Sequence, residues 1–145
     1  MPASSQASET GEMSGYPKIE LLIGGTWRAR QGSPVINPGN EAVIGHVPHA
    51  TPDDLADAVT AAEQGFAVWR AMSPRHRQDI MLAAVRLLRE RTEPIAHVMT
   101  LEQGKPIAQS RLEVQRAADM IEWDATEGRR LYGRVIPAAS GMQLT

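Results

Sequence analysis

The sequence predicts a helix-rich α/β fold in which a β-hairpin and short extended segments precede four helices and a short strand. Three observations predict it. Two β-prone runs flank Gly24-Gly25 in "IELLIGGTWRA", a pair that tolerates the positive φ angles of a tight hairpin turn. Thr51-Pro52, Ser73-Pro74 and Glu93-Pro94 each carry a helix-start signal. Behind these starts, apolar residues recur at helical spacing.

Taken in order, residues up to about Tyr16 are mostly Ser, Ala, Glu and Gly. They have little to bury, so residues 1–17 are expected to form a flexible tail and 18–145 the folded segment. A hairpin is expected over Ile19 to Arg28. A second extended pair follows, Val35-Ile36 and Val43 to Val47, separated by the turn-forming Pro38-Gly39-Asn40. Thr51 is an N-cap, with Asp53-Asp54 near the positive end of the dipole. Leu55, Ala58, Val59, Ala62, Phe66 and Trp69 then give the first helix one apolar face to about Arg70. Ser73 starts a second helix, which Ile80, Ala84, Leu87 and Leu88 carry to about Arg91. Glu93-Pro94 opens a shorter third helix, stopped by Gly104. Pro106 opens a long fourth, with Ala108, Leu112, Ala118, Ile121, Ala125 and Leu131 as its stripe. Arg116 is spaced to pair with Glu113 and Asp119 on the wet side. Gly133 to Pro137 reads as a short strand. Leu144-Thr145 resembles the start of another extended segment, so the chain is expected to be part of a longer one.

Composition narrows the function classes. The 145 residues carry a net charge of -2 with 22% charged residues, which gives no bulk attraction to nucleic acid. Zero cysteines exclude a disulfide framework, a thiolate nucleophile and a cysteine metal site within this sequence. The start "MPASSQASETGEMSGYPK" has no basic and apolar leader pattern, and no apolar run is long enough to span a bilayer. A soluble, cytoplasmic chain without membrane or nucleic-acid partners is expected.

The motifs that suggest chemistry have simpler readings. "TLEQGKP", Thr100 to Pro106, looks like the end of a phosphate loop, but position 99 is Met where that loop needs Gly, and Pro106 stands where it needs Ser or Thr. Gly104 is instead expected as a left-handed helix cap, and "EQGKP" as a joint between helices. His46 and His49 have no further ligands nearby in sequence and read as solvent-facing. His76, between Arg75 and Arg77, reads as a solvated helix start. His97 reads as a packed or capping side chain. No serine sits in a strand-to-helix elbow. Asp53-Asp54 is accounted for by capping, and Trp27, Trp69 and Trp123 by core or interface packing.

The order of the pieces is more specific than any one of them. "LLIGGTWR", "VINP", "VIGHVPHAT", "AVWRAMSPRHR", "LEQGKP" and "EWDATEGRRLYGRVIP" together resemble the N-terminal segment of the NAD(P)-dependent aldehyde dehydrogenase superfamily, over about Lys18 to Pro137. The last motif is most similar to the succinate-semialdehyde dehydrogenase branch. The resemblance implies a scaffold segment of a homo-oligomeric enzyme that oxidises an aldehyde to a carboxylic acid with NAD or NADP. It also implies that the catalytic cysteine, the glutamate base and the coenzyme's Gly-rich turn lie downstream, so no catalytic or coenzyme residue is expected here and the isolated chain is expected to be inactive. Some members hold a structural monovalent cation through positions that correspond to the Ile36 carbonyl and Glu102. The alternative for Glu102 is a helix-end carboxylate bonding nearby backbone. Where the family usually has Asn-Pro-Ala-Thr-Gly-Glu, this chain has Asn37-Pro38-Gly39-Asn40-Glu41-Ala42, so the turn is expected to differ in detail. The competing function class is a non-catalytic helical docking module.

Overall fold

The computed structural model describes residues 15–133 and the backbone of residues 136–137 and 143–144. The tail expected over residues 1–17 lies outside these residues as far as position 14. Local chemistry sets the elements: β1 Leu21–Ile23, β2 Thr26–Arg28, β3 Gly32–Ile36, β4 Val43–Pro48, α1 Pro52–Ala71, α2 Pro74–Glu90, α3 Thr92–Gln103, α4 Ile107–Glu127, a 3-10 turn Gly128–Arg130, β5 Ile136–Pro137 and β6 Gln143–Leu144. The last helix begins one residue after Pro106, a normal margin for a helix boundary. β5 and β6 pair antiparallel, Ile136 opposite Leu144. Positions 134 and 135 of the strand expected from Gly133 are outside the described residues. The chain divides into two compact units, Met1–Gln64 with His97–Pro106, and Gly65–Ala96 with Ile107–Thr145.

In the first unit, β1 and β2 pair as expected, Leu21 opposite Arg28 and Ile23 opposite Thr26. Gly24 and Gly25 have φ of 58° and 81°, the two positive angles that match a two-residue turn to the strands' twist. β3 and β4 form the second hairpin, with a register shift between Val35 and Ile36. Ile44, on β4, is buried.

The turn joining β3 to β4 shows how a departure in sequence is absorbed. Asn37 organises it: its side chain accepts the Gly39 N–H at 2.8 Å, and its carbonyl accepts the Glu41 N–H at 2.8 Å. The left-handed residue is Glu41, at φ 60°. The positive angle falls at the fifth place of the turn although the glycine stands at the third, and Glu41 carries the steric cost a glycine would avoid. Glu41→Gly is expected to raise the thermal midpoint by a few degrees, as relief of about 1 kcal/mol would in a small domain. A scanning calorimetry trace with an unchanged or lower midpoint would contradict this.

In the second unit, Ser73 caps α2 by accepting the His76 N–H on Oγ at 3.2 Å, with Pro74 in the first turn. α2 packs against α4, and the buried line on α4 is Ser110, Val114, Ala118 and Ala125. Ala118 and Ala125 belong to the expected stripe; Ser110 and Val114 do not, and Leu131, which does, lies exposed beyond the end of α4. Ala108 and Leu112 are exposed, each two positions from a buried residue, which is about 200° around a helix. The expected Arg116 to Asp119 pair is also replaced: Asp119 and Glu122 both accept from Arg89 of α2. Arg111 grips Glu93 side-on, with Nε and Nη2 donating at 2.9 and 2.8 Å, and that hydrogen bonding holds the Glu93 carboxyl below its ordinary pKa. The apolar face expected on α1 is present but uncovered in this chain, with Leu55 and Phe66 65% and 62% exposed.

Candidate functional site

The groups that gather in the first unit are charged and hydrogen-bonded, and Asp54 is their centre. It stands at the third position of α1, 1% exposed. Thr51 and Asp54 cap the helix reciprocally: the Asp54 N–H donates to Thr51 Oγ1 at 3.1 Å, and the Thr51 N–H donates to Asp54 Oδ2 at 3.0 Å. This is a capping box with Asp in the role of the usual Glu. The same carboxylate accepts Arg30 through Nε and Nη2, both at 2.8 Å, and Arg28 through Nη1 at 3.1 Å. Arg28 also reaches Asp57 at 2.7 Å. The Arg30 hydrogen bond, then the Thr51 backbone, hold the Asp54 carboxyl far below the usual carboxylate range. Sequence reading gave Asp54 its cap but not its two arginines, which lie 24 and 26 residues away.

The "EQGKP" joint is the helix cap its sequence implies. Gly104 has φ 69° and donates its N–H to the Thr100 carbonyl at 2.9 Å, closing α3. A Cβ on Gly104 would lie 2.9 Å from Pro38 Cγ. Glycine therefore serves twice, for its backbone angle and for the close passage of the turn that follows Ile36. Ile36 ends β3 at the irregular register, and Glu102 stands two residues before Gly104.

Glu102 does not act as a helix-end carboxylate bonding backbone nearby; its Oε1 accepts the Tyr16 hydroxyl at 2.5 Å, from 86 residues away. The Tyr16 ring lies where a Cβ on residue 45 would be, so Gly45 makes the slot that seats it. Burial, and then the hydrogen bond and charge of Glu102, push the Tyr16 phenol up to about 12. A phenol whose folded value is raised contributes stability below its ordinary value of 10.0 and loses that contribution as pH rises toward about 12. The stability gap between the native chain and Tyr16→Phe is therefore expected to narrow across that alkaline window. Urea midpoints taken on either side of it check this, and a gap that stays constant would count against it.

The remaining candidates stay dispersed. His49 shares a 2.8 Å hydrogen bond with Ser33 Oγ on an exposed strand surface. His46 borders an open cleft of about 210 Å³ beside Tyr16, Lys18 and Arg30. His97 is exposed rather than packed, and Trp27 and Trp123 are exposed rather than core. Among the described residues, no three acidic or histidine side chains gather as a metal site. No described helix is long and apolar enough to cross a membrane.

A helix-rich α/β scaffold with capped joints is the class these observations define. Comparison with known proteins then places it. Residues 27–145 match the aldehyde dehydrogenase family. The chain is 46% identical over 126 residues to the 4-(hydroxymethyl)benzenesulfonate dehydrogenase TsaD1 of Comamonas testosteroni, covering 85% of this chain and 26% of that protein. It is 40% identical to the NADP(+) succinate-semialdehyde dehydrogenase GabD of Escherichia coli K12, covering 81% and 25%. A crystal structure of an E. coli NADP-dependent enzyme superposes with a TM-score of 0.80 at 37% identity, covering 84% of this chain and 26% of that one. The chain belongs to the aldehyde dehydrogenase family. It spans about a quarter of the length of the curated relatives it matches.

Proposed function

We propose that residues 18–145 are the N-terminal scaffold segment of an NAD(P)-dependent enzyme that oxidises an aldehyde to a carboxylic acid, its coenzyme-binding and catalytic parts lying outside these 145 residues. The observation that carries this reading is the family match over residues 27–145 in a sequence without cysteine. A cysteine thiolate is the nucleophile such chemistry calls for, and this sequence cannot supply it, so the isolated chain does not oxidise aldehydes by that route. The uncovered apolar residues of α1 support a scaffold that packs against further protein. The complete enzyme is a homo-oligomer in the cytoplasm. Its substrate is an aldehyde with an acid group at the far end, a semialdehyde such as succinate semialdehyde: the names of the two relatives share an anionic group, a sulfonate in one and a carboxylate in the other.

The Ile36 carbonyl and the Glu102 carboxylate are two donors of a monovalent cation site completed from outside these residues. A hard cation takes oxygen ligands, both groups supply oxygen, and the approach of Pro38 to Gly104 supports bringing the two segments together.

The test is the size of the native product in the source cell, detected with an antibody against this segment. A product several times longer than 145 residues, active on succinate semialdehyde with NAD+ or NADP+, is expected. A stable product of 145 residues would favour the docking-module reading instead.

A further inference from the structure

We propose that residues 15–18 form a strap that clips the carboxyl-terminal end of α3 to β4, with the Tyr16 ring as its anchor and the Tyr16–Glu102 hydrogen bond as its catch. The residues involved belong to the first unit. On β4 the ring fills the place where a Cβ on Gly45 would stand, with Cδ1 and Cε1 nearest. On α3 the Tyr16 hydroxyl donates to Glu102 Oε1 at 2.5 Å. One residue earlier, a Cβ on Gly15 would lie 3.9 Å from His97 Nε2. The segment therefore runs beside α3 from His97 to Glu102, more than one helical turn.

A second point of approach completes the clip. Just past the end of α3, a Cβ on Gly104 would lie 2.9 Å from Pro38 Cγ, in the turn that joins β3 to β4. With Tyr16 seated, the end of α3 is tied to the β3–β4 hairpin at both places; with Tyr16 out, only the Pro38 approach is left. The Asp54 cap uses Thr51, Arg28 and Arg30, none of which touches the strap, so it stays closed when the strap opens. The two parts of the strap differ in strength. Glu102 is exposed, so water replaces a lost phenol and the catch contributes modestly. Seating the ring buries aromatic surface and is the larger part.

Amide hydrogen exchange of the full chain tests this. The Gly104 N–H, bonded to the Thr100 carbonyl at 2.9 Å, reports on the end of α3. The Asp54 N–H, bonded to Thr51 Oγ1 at 3.1 Å, reports on the same unit away from the strap. Gly45→Ala evicts the ring while leaving donor and acceptor intact. It is expected to speed exchange at Gly104 by about tenfold or more and to leave Asp54 unchanged. Tyr16→Phe, which keeps the ring and loses the catch, is expected to give a smaller rise at Gly104. Added to Gly45→Ala it is expected to change nothing further, because an evicted ring has no catch to lose. An unchanged Gly104 in both single variants, equal acceleration at Asp54, or additive effects in the double variant would each overturn the strap. Should Gly45→Ala fail to fold, Glu102→Gln and Glu102→Ala decide. The amide still accepts the phenol and is expected to hold Gly104 near its native rate, whereas alanine is expected to match Tyr16→Phe. Equal rates in those two variants overturn the proposal.

Discussion

Asp54→Asn is expected to lower the thermal midpoint by roughly 10 °C or more, the largest loss for a change of so little volume. The amide keeps one acceptor oxygen and can still take the Thr51 N–H, so the cap survives in part. What it cannot keep is the side-on grip of Arg30, which uses both carboxylate oxygens. The amide's NH2 would face a guanidinium, donor against donor. Arg28 retains Asp57 and is less affected. The variant therefore separates helix capping from ion pairing: Arg30→Gln alone should reproduce most of the loss, and the double variant should lose far less than the sum. Additive losses would mean that the pair contributes little. The pH dependence follows from the direction of the shift. A carboxylate whose folded pKa is depressed stabilises fully above its unfolded value of about 4 and loses that contribution as pH falls through the folded value. Acid should thus erode the native chain below about pH 4, while Asp54→Asn shows a shallower acid limb.

That cluster also marks where the sequence stops being legible. Features settled within a few residues could be read from it: the Gly24-Gly25 turn, the Thr51 and Ser73 caps and the Gly104 stop each depend on neighbours in the chain. Features that depend on distant partners could not. Nothing in "DDLAD" announces that Asp54 will meet Arg28 and Arg30, and nothing around "GYPK" announces that Tyr16 will reach Glu102. The α4 face was legible only in part. Periodicity in hydropathy placed Ala118 and Ala125 on the buried line but favoured Ala108 and Leu112 over the buried Ser110 and Val114. For the candidate site, the resemblance supplied Ile36 and Glu102 as a pair, and neither residue type carries that meaning alone. In the turn after Ile36 the glycine does not mark the left-handed residue, which is Glu41 at φ 60°.

Gly32→Ala should be the most damaging of the glycine replacements among the described residues. Its φ is not positive, so the difficulty is space rather than backbone conformation. Gly32 lies opposite Pro48, and Ser33 opposite Val47, at the open end of the β3–β4 hairpin. A Cβ at position 32 would overlap the Val47 carbonyl and stand 2.7 Å from Pro48 Cα. These are backbone atoms, so no side-chain rotation relieves the overlap and the strands must part. Parting them breaks the closing bond from the His49 N–H to the Gln31 carbonyl, now 2.9 Å, and separates Ser33 from His49. Overpacking of this kind costs about 1–3 kcal/mol where the structure can yield and more where it cannot. The expected result is a fall in midpoint together with fast amide exchange at His49, spreading along the ladder toward Ile36. Gly65→Ala in α1 supplies the opposite sign. An added Cβ there meets nothing within 4 Å, and replacing a helical glycine with alanine stabilises by roughly 0.5–1 kcal/mol. If Gly32→Ala keeps His49 protected and its midpoint near that of Gly65→Ala, the two strands do not approach as closely as described, and the register that delivers Ile36 to its turn must be redrawn.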